Sequence, residues 1–142
     1  MSFVDHTADF IAVQGSVSFS GGQWQMPGYD VFSKLSASGS WPDGYRPAQM
    51  RITTTCAADM PFAFMQIWNA SEYTQIGGDG GYVTYLAGTH AHVFDLTFAG
   101  SDLKYLRISG YSYVAFSFTI EFGDGVILPF WTDPVNASAD FG

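Results

Sequence analysis

Four runs in the C-terminal half of the chain decide the fold class: HAHVFDLTF (90–98), LKYLRIS (103–109), YVAFSFTIEF (113–122) and VILPFW (126–131). Within the first three of these runs apolar and polar side chains alternate with a period of two, which is the period of a pleated strand. Glycine-containing turns separate the runs, so we predict a β-meander of four strands. The third run is the most regular, and we predict that its core face consists of Val114, Phe116, Phe118 and Ile120.

Shorter strand candidates precede these runs, at residues 9–13, 16–20, 51–57, 62–68, 73–76 and 82–86. Alternation in 62–68 groups Phe62, Phe64 and Trp68 on one face, and we predict that Trp68 belongs to the core. No window of helical length carries a 3.6-residue apolar stripe. The sequence therefore predicts one all-β domain over residues 1–132, an antiparallel, jelly-roll-like β-sandwich with little or no helix. An extended C-terminal tail is expected at 133–142.

Charge and composition exclude several classes of partner. The chain has 13 acidic and five basic residues, a formal net charge of −8, so we predict no nucleic-acid binding. There is no apolar run of membrane-spanning length and no evident targeting signal, which predicts a protein made in the cytoplasm that has no membrane partner. The single cysteine, Cys56, excludes an intramolecular disulfide, and we predict that it is a small buried hydrophobe.

The motifs of enzymes and metal sites are weak or missing. His90 and His92 lie two residues apart on one strand face, which resembles the start of a cupin metal site. The cupin pattern also needs a glutamate soon after the second histidine and a later histidine, and neither is present. No Gly-x-Ser-x-Gly elbow occurs, and the two glutamates, Glu72 and Glu121, do not suggest a glycosidase pair. We predict a non-enzymatic protein without a metal or organic cofactor.

Aromatic residues make up 18% of the chain and charged residues only 13%. Trp24, Trp41 and Tyr45 lie in the irregular stretch 21–47, where we predict exposure and a role in an interface or a ligand site. Sugar stacking, as in carbohydrate-binding β-sandwiches, loop packing and protein contacts all remain open for these residues. Further aromatics near predicted loops could contribute to a sugar platform: Trp68, Trp131, Tyr29, Tyr73, Tyr82 and Tyr111.

Residues 133–142 have neither strand alternation nor a helical pattern, and we expect a neighbouring subunit to hold them through Phe141. An acidic β-sandwich with few lysines and a surface rich in Gly, Ser, Thr and Tyr resembles the accessory virion proteins of tailed bacteriophages, such as head decoration proteins. This resemblance implies a structural capsid-decoration or other accessory protein that forms a homo-oligomer and binds other proteins of the virion. The alternative function is a carbohydrate-binding β-sandwich module.

Overall fold

The chain folds as a β-sandwich of two antiparallel sheets in a computed structural model that describes residues 2–28, 30–42, 44–98, 103–123 and 126–127. Within these ranges the helical segments are two single 3-10 turns, Thr7–Asp9 and Leu103–Tyr105. Neither segment has the length and apolar character needed to cross a membrane. The predicted all-β sandwich with little or no helix is confirmed. The predicted tail, 133–142, lies outside the described residues.

The strands follow the sequence in short segments separated by turns. In chain order they are β1 (Phe3–Asp5), β2 (Phe10–Gln14), β3 (Ser18–Ser20), β4 (Gln23–Met26), β5 (Asp30–Ala37), β6 (Tyr45–Arg46), β7 (Gln49–Cys56), β8 (Met60–Asn69), β9 (Thr74–Gly78), β10 (Val83–Tyr85), β11 (Gly88–Asp95), β12 (Leu106–Ser112), β13 (Phe116–Gly123) and β14 (Val126–Ile127).

Two six-stranded sheets account for most of these strands. The first sheet has the order β11-β7-β13-β4-β3, with β1 also paired to β13. The second sheet has the order β10-β8-β12-β5-β2, with β9 also paired to β8. A separate two-stranded ladder joins β14 to β6.

The predicted four-strand meander is wrong. Strands β11 and β13 do not pair with each other, because β7 lies between them, and β12 belongs to the opposite sheet. Side-chain alternation marks each strand as half-buried but is the same in either sheet of a sandwich, so it does not reveal which strands are neighbours. In the fourth run the described residues form β14, and residues 128–131 lie outside the described ranges.

The second run is also shifted from its predicted position. Residues 103–105 form a 3-10 turn, and the strand continues through Gly110 to Ser112, where we predicted a turn. Gly110 serves close packing, since a Cβ atom there would lie 3.2 Å from the sulfur of Met65 and 3.3 Å from the terminal carbon of Met26. Glycine therefore allows close sheet-to-sheet contact at this position.

The core lies between the two sheets and matches the predicted face of the third run. Phe116, Phe118 and Ile120 are all buried, and Val114 packs against them while partly exposed. Cys56 is buried as predicted. The opposite sheet contributes its own inward side chains, mainly Leu35, Met65, Ile67, Leu106 and Ile108.

Candidate functional site

The outer face of the second sheet carries large side chains on its two central strands. In the pairing of β8 with β12, Phe64 lies opposite Tyr111 and Trp68 lies opposite Arg107. Met65 and Ile67, which alternate with them along β8, point the other way into the core and are fully buried. The outward side chains thus form one continuous row on each strand.

One end of this face is an aromatic patch of five rings, with neighbouring ring centroids 5.2 to 6.4 Å apart. Its members are Phe62, Phe64, Tyr82, Tyr111 and Tyr113. Most pairs meet edge to face, while Phe64 and Tyr111 are stacked. Tyr82 is 64% exposed and Phe62 58%, so the patch presents a substantial apolar surface to solvent.

The patch is also uncharged. A hydrogen bond with Tyr113, together with partial burial, raises the pKa of Tyr111 to about 12. Its hydroxyl therefore stays protonated at physiological pH and can donate or accept a hydrogen bond. Such a surface suits a neutral ligand that has apolar faces and hydroxyl groups.

Backbone strain occurs at two exposed aromatic residues of this region. Phe62 has φ 60° and Tyr73 has φ 54°, and both are non-glycine residues in the left-handed region. Bulky side chains rarely adopt this conformation, which costs about 1–2 kcal/mol per residue. Tyr73 is 83% exposed, so burial of its own ring does not offset that cost. Strain of this kind is concentrated at functional sites.

The other end of the face is a basic cleft of about 200 Å³, lined by Lys34, Trp68, Ala70, Tyr73, Arg107 and Ser109. The indole Nε1 of Trp68 donates a hydrogen bond of 2.8 Å to the Ser109 hydroxyl, which fixes the ring across the neighbouring strand. Our prediction that Trp68 is a core residue is wrong. Both faces of β8 are apolar, so alternation grouped the residues correctly but did not show which group faces inward.

Of the four residues that the sequence suggested for an interface or ligand site, the structure describes three and does not bring these three together. Trp24 is 5% exposed on β4, where its Nε1 donates a 3.0 Å hydrogen bond to the Thr7 carbonyl, so its predicted exposure in a loop is wrong. The stretch 21–47 is mostly strand, because β4 and β5 lie in it. Phe141 lies outside the described residues.

Trp41 and Tyr45 do come together, as a stacked pair with ring centroids 6.0 Å apart. They line a second, open cleft with His6 and Asp9, whose side chains are joined at 2.8 Å between Nδ1 and Oδ2. The His6 ring packs on Trp41 at 4.7 Å. These contacts form part of the packing at the edge of the core, against which both aromatic residues are partly buried.

His90 and His92 lie on the edge strand β11. His92 stacks on Tyr85 at 4.3 Å, and its Nε2 is 3.2 Å from the Thr54 hydroxyl. Burial lowers the pKa of His92. Across the described part of the chain, no three His, Cys, Asp or Glu side chains are grouped so that they could hold a metal ion.

The aromatic patch was only partly accessible to sequence reasoning. Tyr82 and Tyr111 were among the aromatics proposed for a sugar platform, but Phe62 and Phe64 were grouped with a core residue. The sequence does contain a feature that could have identified Phe62 and Phe64. They alternate along β8 with Met65 and Ile67, which are apolar and form the core side of the strand, so the aromatic side faces outward.

Comparison with known proteins adds the architecture of carbohydrate-binding modules. No protein-family model matches the chain, and no curated protein matches it in sequence. Among solved structures, an aspartate-to-alanine variant of the family 29 carbohydrate-binding module CBM29-2 has a TM-score of 0.51 at 12% identity, covering 95% of this chain and 99% of its own. A tyrosine-to-alanine variant of the same module has a TM-score of 0.51 at 11% identity, covering 94% and 99%. The likeness establishes a shared β-sandwich fold.

Proposed function

We propose that this protein is a non-catalytic carbohydrate-binding β-sandwich whose ligand lies along the outer face of β8 and β12. This corresponds to the alternative function considered from the sequence. The observation that carries the proposal is the aromatic patch, an uncharged set of five rings of which three stand on β8 and β12, with Phe62 and Tyr82 well exposed. Support also comes from the likeness to CBM29-2, described as a module used to probe ligand recognition.

The chemistry of the patch suits a pyranose ring. The C–H faces of a sugar are apolar and stack on aromatic rings, while its hydroxyls at the rim need hydrogen-bonding partners. The exposed rings of Phe62 and Tyr82 supply stacking area, and the half-buried, outward side chain of Gln66 supplies a polar group farther along β8. Phe64 and Trp68 are four residues apart on β8, about 13 Å at the usual rise of a strand. A ligand spanning both is an oligosaccharide of several units.

Preorganisation is the second physical reason. The five rings contact one another, and three of them, Phe62, Phe64 and Tyr111, stand on central strands of the sheet, so little side-chain freedom is lost when a ligand binds. The strained backbone at Phe62 holds one ring outward before any ligand arrives. Both features favour recognition of a ligand by stacking.

A binding assay with matched variants tests the proposal. The full chain is screened against neutral oligosaccharides and polysaccharides by affinity electrophoresis, and hits are measured by calorimetry. Tyr82→Ala removes an exposed ring and should weaken binding about tenfold, because a buried aromatic contact contributes about 1–2 kcal/mol. Thr119→Ala, on the outer face of the first sheet, is the control and should bind like the wild type. Absence of any glycan binding, or equal losses in both variants, contradicts the proposal.

The virion role and the homo-oligomer predicted from composition stay predictions. A virion protein should copurify with a phage particle in fixed stoichiometry and should form an oligomer in solution. If the aromatic patch is a subunit contact, Tyr82→Ala should dissociate that oligomer, which light scattering would detect. Tyr82→Ala therefore distinguishes the two functions: a loss of glycan affinity supports carbohydrate binding, and dissociation of an oligomer supports the virion role.

A further inference from the structure

We infer that the ligand carries a carboxylate group, as in a uronic acid unit, and that this group binds in the basic cleft at Arg107 and Lys34. The inference rests on the proposed function and specifies the chemical class of the glycan. It comes from a feature that the stacking of neutral sugars does not explain, namely the two basic side chains that line the cleft beside the uncharged aromatic patch.

The placement of these cations is unusual for this chain. It has only five basic residues against 13 acidic ones, yet two of the five line the same cleft. Arg107 pairs with Ser36 and Lys34 pairs with Ser109, so the two cations are diagonal neighbours on adjacent strands. Diagonal neighbours are about 7–8 Å apart, so one carboxylate between them would interact with both positive charges.

Arg107 is suited to bind such an anion. Arg107 takes no part in the ion pairs of His6 with Asp9 and of Arg51 with Glu121, and no carboxylate of the described residues neutralises it. A guanidinium group binds a planar carboxylate through two parallel hydrogen bonds, which distinguishes a uronic acid from the corresponding neutral sugar.

The cleft also has the other groups that a sugar unit requires. Trp68 lies beside Arg107 in the β8–β12 register and is held by its hydrogen bond to Ser109. Tyr73, 83% exposed and held at φ 54°, lines the same cleft. These two rings can stack on the pyranose while the cations bind its carboxylate. The neighbouring sugar units would then extend toward the uncharged aromatic patch.

The expected preference is for single acidic units within a mostly neutral chain. A net charge of −8 repels a dense polyanion at long range, whereas a carboxylate in the cleft interacts at short range. The position of the acidic group relative to the aromatic patch thus matters more than the total charge of the glycan.

The test compares glucuronoxylan with the same polysaccharide after chemical reduction of its carboxyl groups to alcohols, beside neutral glucan and mannan oligosaccharides. Wild-type protein should bind the acidic form about tenfold more tightly than the reduced form, which is the effect of about one charge-assisted hydrogen-bonded contact. Arg107→Gln should remove this preference, so that the variant binds the acidic and the reduced forms with equal affinity. Lys34→Gln should reduce the preference in part. Added salt should diminish it in the wild type.

Lys104→Gln is the matched control, because Lys104 lies outside the cleft with its amino group 5.0 Å above the Tyr105 ring. It should keep the full preference. Thermal unfolding checks that each variant is folded. Equal binding of the acidic and reduced forms, or a preference that survives Arg107→Gln, overturns this inference but leaves the proposed function standing. Failure to bind any of the acidic or neutral glycans overturns both.

Discussion

The outer faces of the two sheets have the same geometry and very different surfaces. On the first sheet, β7 pairs with β13 so that Thr55 lies opposite Ser117, Thr53 opposite Thr119 and Arg51 opposite Glu121. On the second sheet the corresponding central pair, β8 and β12, places aromatic rings and a cation outward. Both sheets bury their inner faces in one core. The difference shows that formation of the core does not determine the composition of the outer faces, and that the cluster of five aromatic rings lies at the second sheet.

The first outer face has the composition of an ordinary solvent-exposed sheet. Short hydroxyl side chains expose little apolar area, and the Arg51 guanidinium binds Glu121 through two hydrogen bonds of 2.9 Å. Arg51 also covers the ring of Phe3 at 4.2 Å, which links β1 to the sheet. The charged groups of the first face thus interact within the protein, while Phe62 and Tyr82 on the second face leave apolar ring area exposed to solvent.

The largest expected effect is a loss of stability of the whole sandwich, because both sheets pack on one shared core. Phe118→Ala removes a 1% exposed side chain between the sheets and should lower the free energy of unfolding by about 3–5 kcal/mol. Urea denaturation monitored by circular dichroism measures this loss. A decrease below about 1 kcal/mol would mean that Phe118 does not occupy the core assigned to it.

The next prediction separates the proposed ligand binding by the second face from the contribution of that face to stability. Phe62→Ala and Phe62→Gly both remove an exposed ring, and each should weaken glycan binding about tenfold. Phe62→Gly should be more stable than Phe62→Ala by about 1 kcal/mol, since glycine adopts φ 60° without strain. Calorimetry and urea denaturation give the two quantities. Alanine as stable as glycine would show that the backbone is not strained there, and unchanged binding would remove Phe62 from the site.

The sequence predicted the two-faced character of most strands and little of their arrangement. Alternation from Phe116 to Phe122 identified the inner face of β13, since one side there is aromatic or aliphatic and the other polar. It failed for β8, where both sides are apolar and consecutive residues 63–65 are buried next to the strained Phe62. Trp24 was missed because the glycines on either side of β4 resemble loop signals.

The candidate site could be predicted even less well. It is assembled from β5, β8, β12 and the segment at Tyr82, which are distant in sequence, and the pairing of those strands depends on long-range contacts. Lys34 and Arg107, for example, meet only through the β5–β12 register. Composition indicated an excess of aromatic residues but not their common face.

A smaller, pH-dependent effect concerns the edge of the first sheet. Burial lowers the pKa of His92, with a further lowering by His90 opposed by Asp79. In the unfolded chain His92 has its ordinary pKa of about 6.5, so it takes up a proton at a higher pH than it does in the folded protein. The free energy of unfolding should therefore decrease as the pH falls from neutral to about 5. His92→Gln should show a smaller decrease over that range in urea denaturation. An equal decrease in both proteins would exclude His92 as its source.

The smallest effect is expected from the ion pair on the first outer face. Glu121→Gln removes one partner of a surface salt bridge, so the midpoint of thermal unfolding should fall only slightly, and less at high salt. Glycan affinity should not change. A loss of binding comparable to that of Phe62→Ala would mean that the ligand occupies the first face as well.

The most direct test of the central claim is a nuclear magnetic resonance titration of the wild-type chain with the tightest-binding glycan of the panel. We expect shift changes to be confined to outward residues of the second sheet, with Phe64, Trp68, Tyr82 and Arg107 among the most affected. Resonances of Thr53 and Thr119 should stay in place. Shift changes centred on the β7–β13 face, on the Trp41 and Tyr45 cleft, or on no single face would contradict the account.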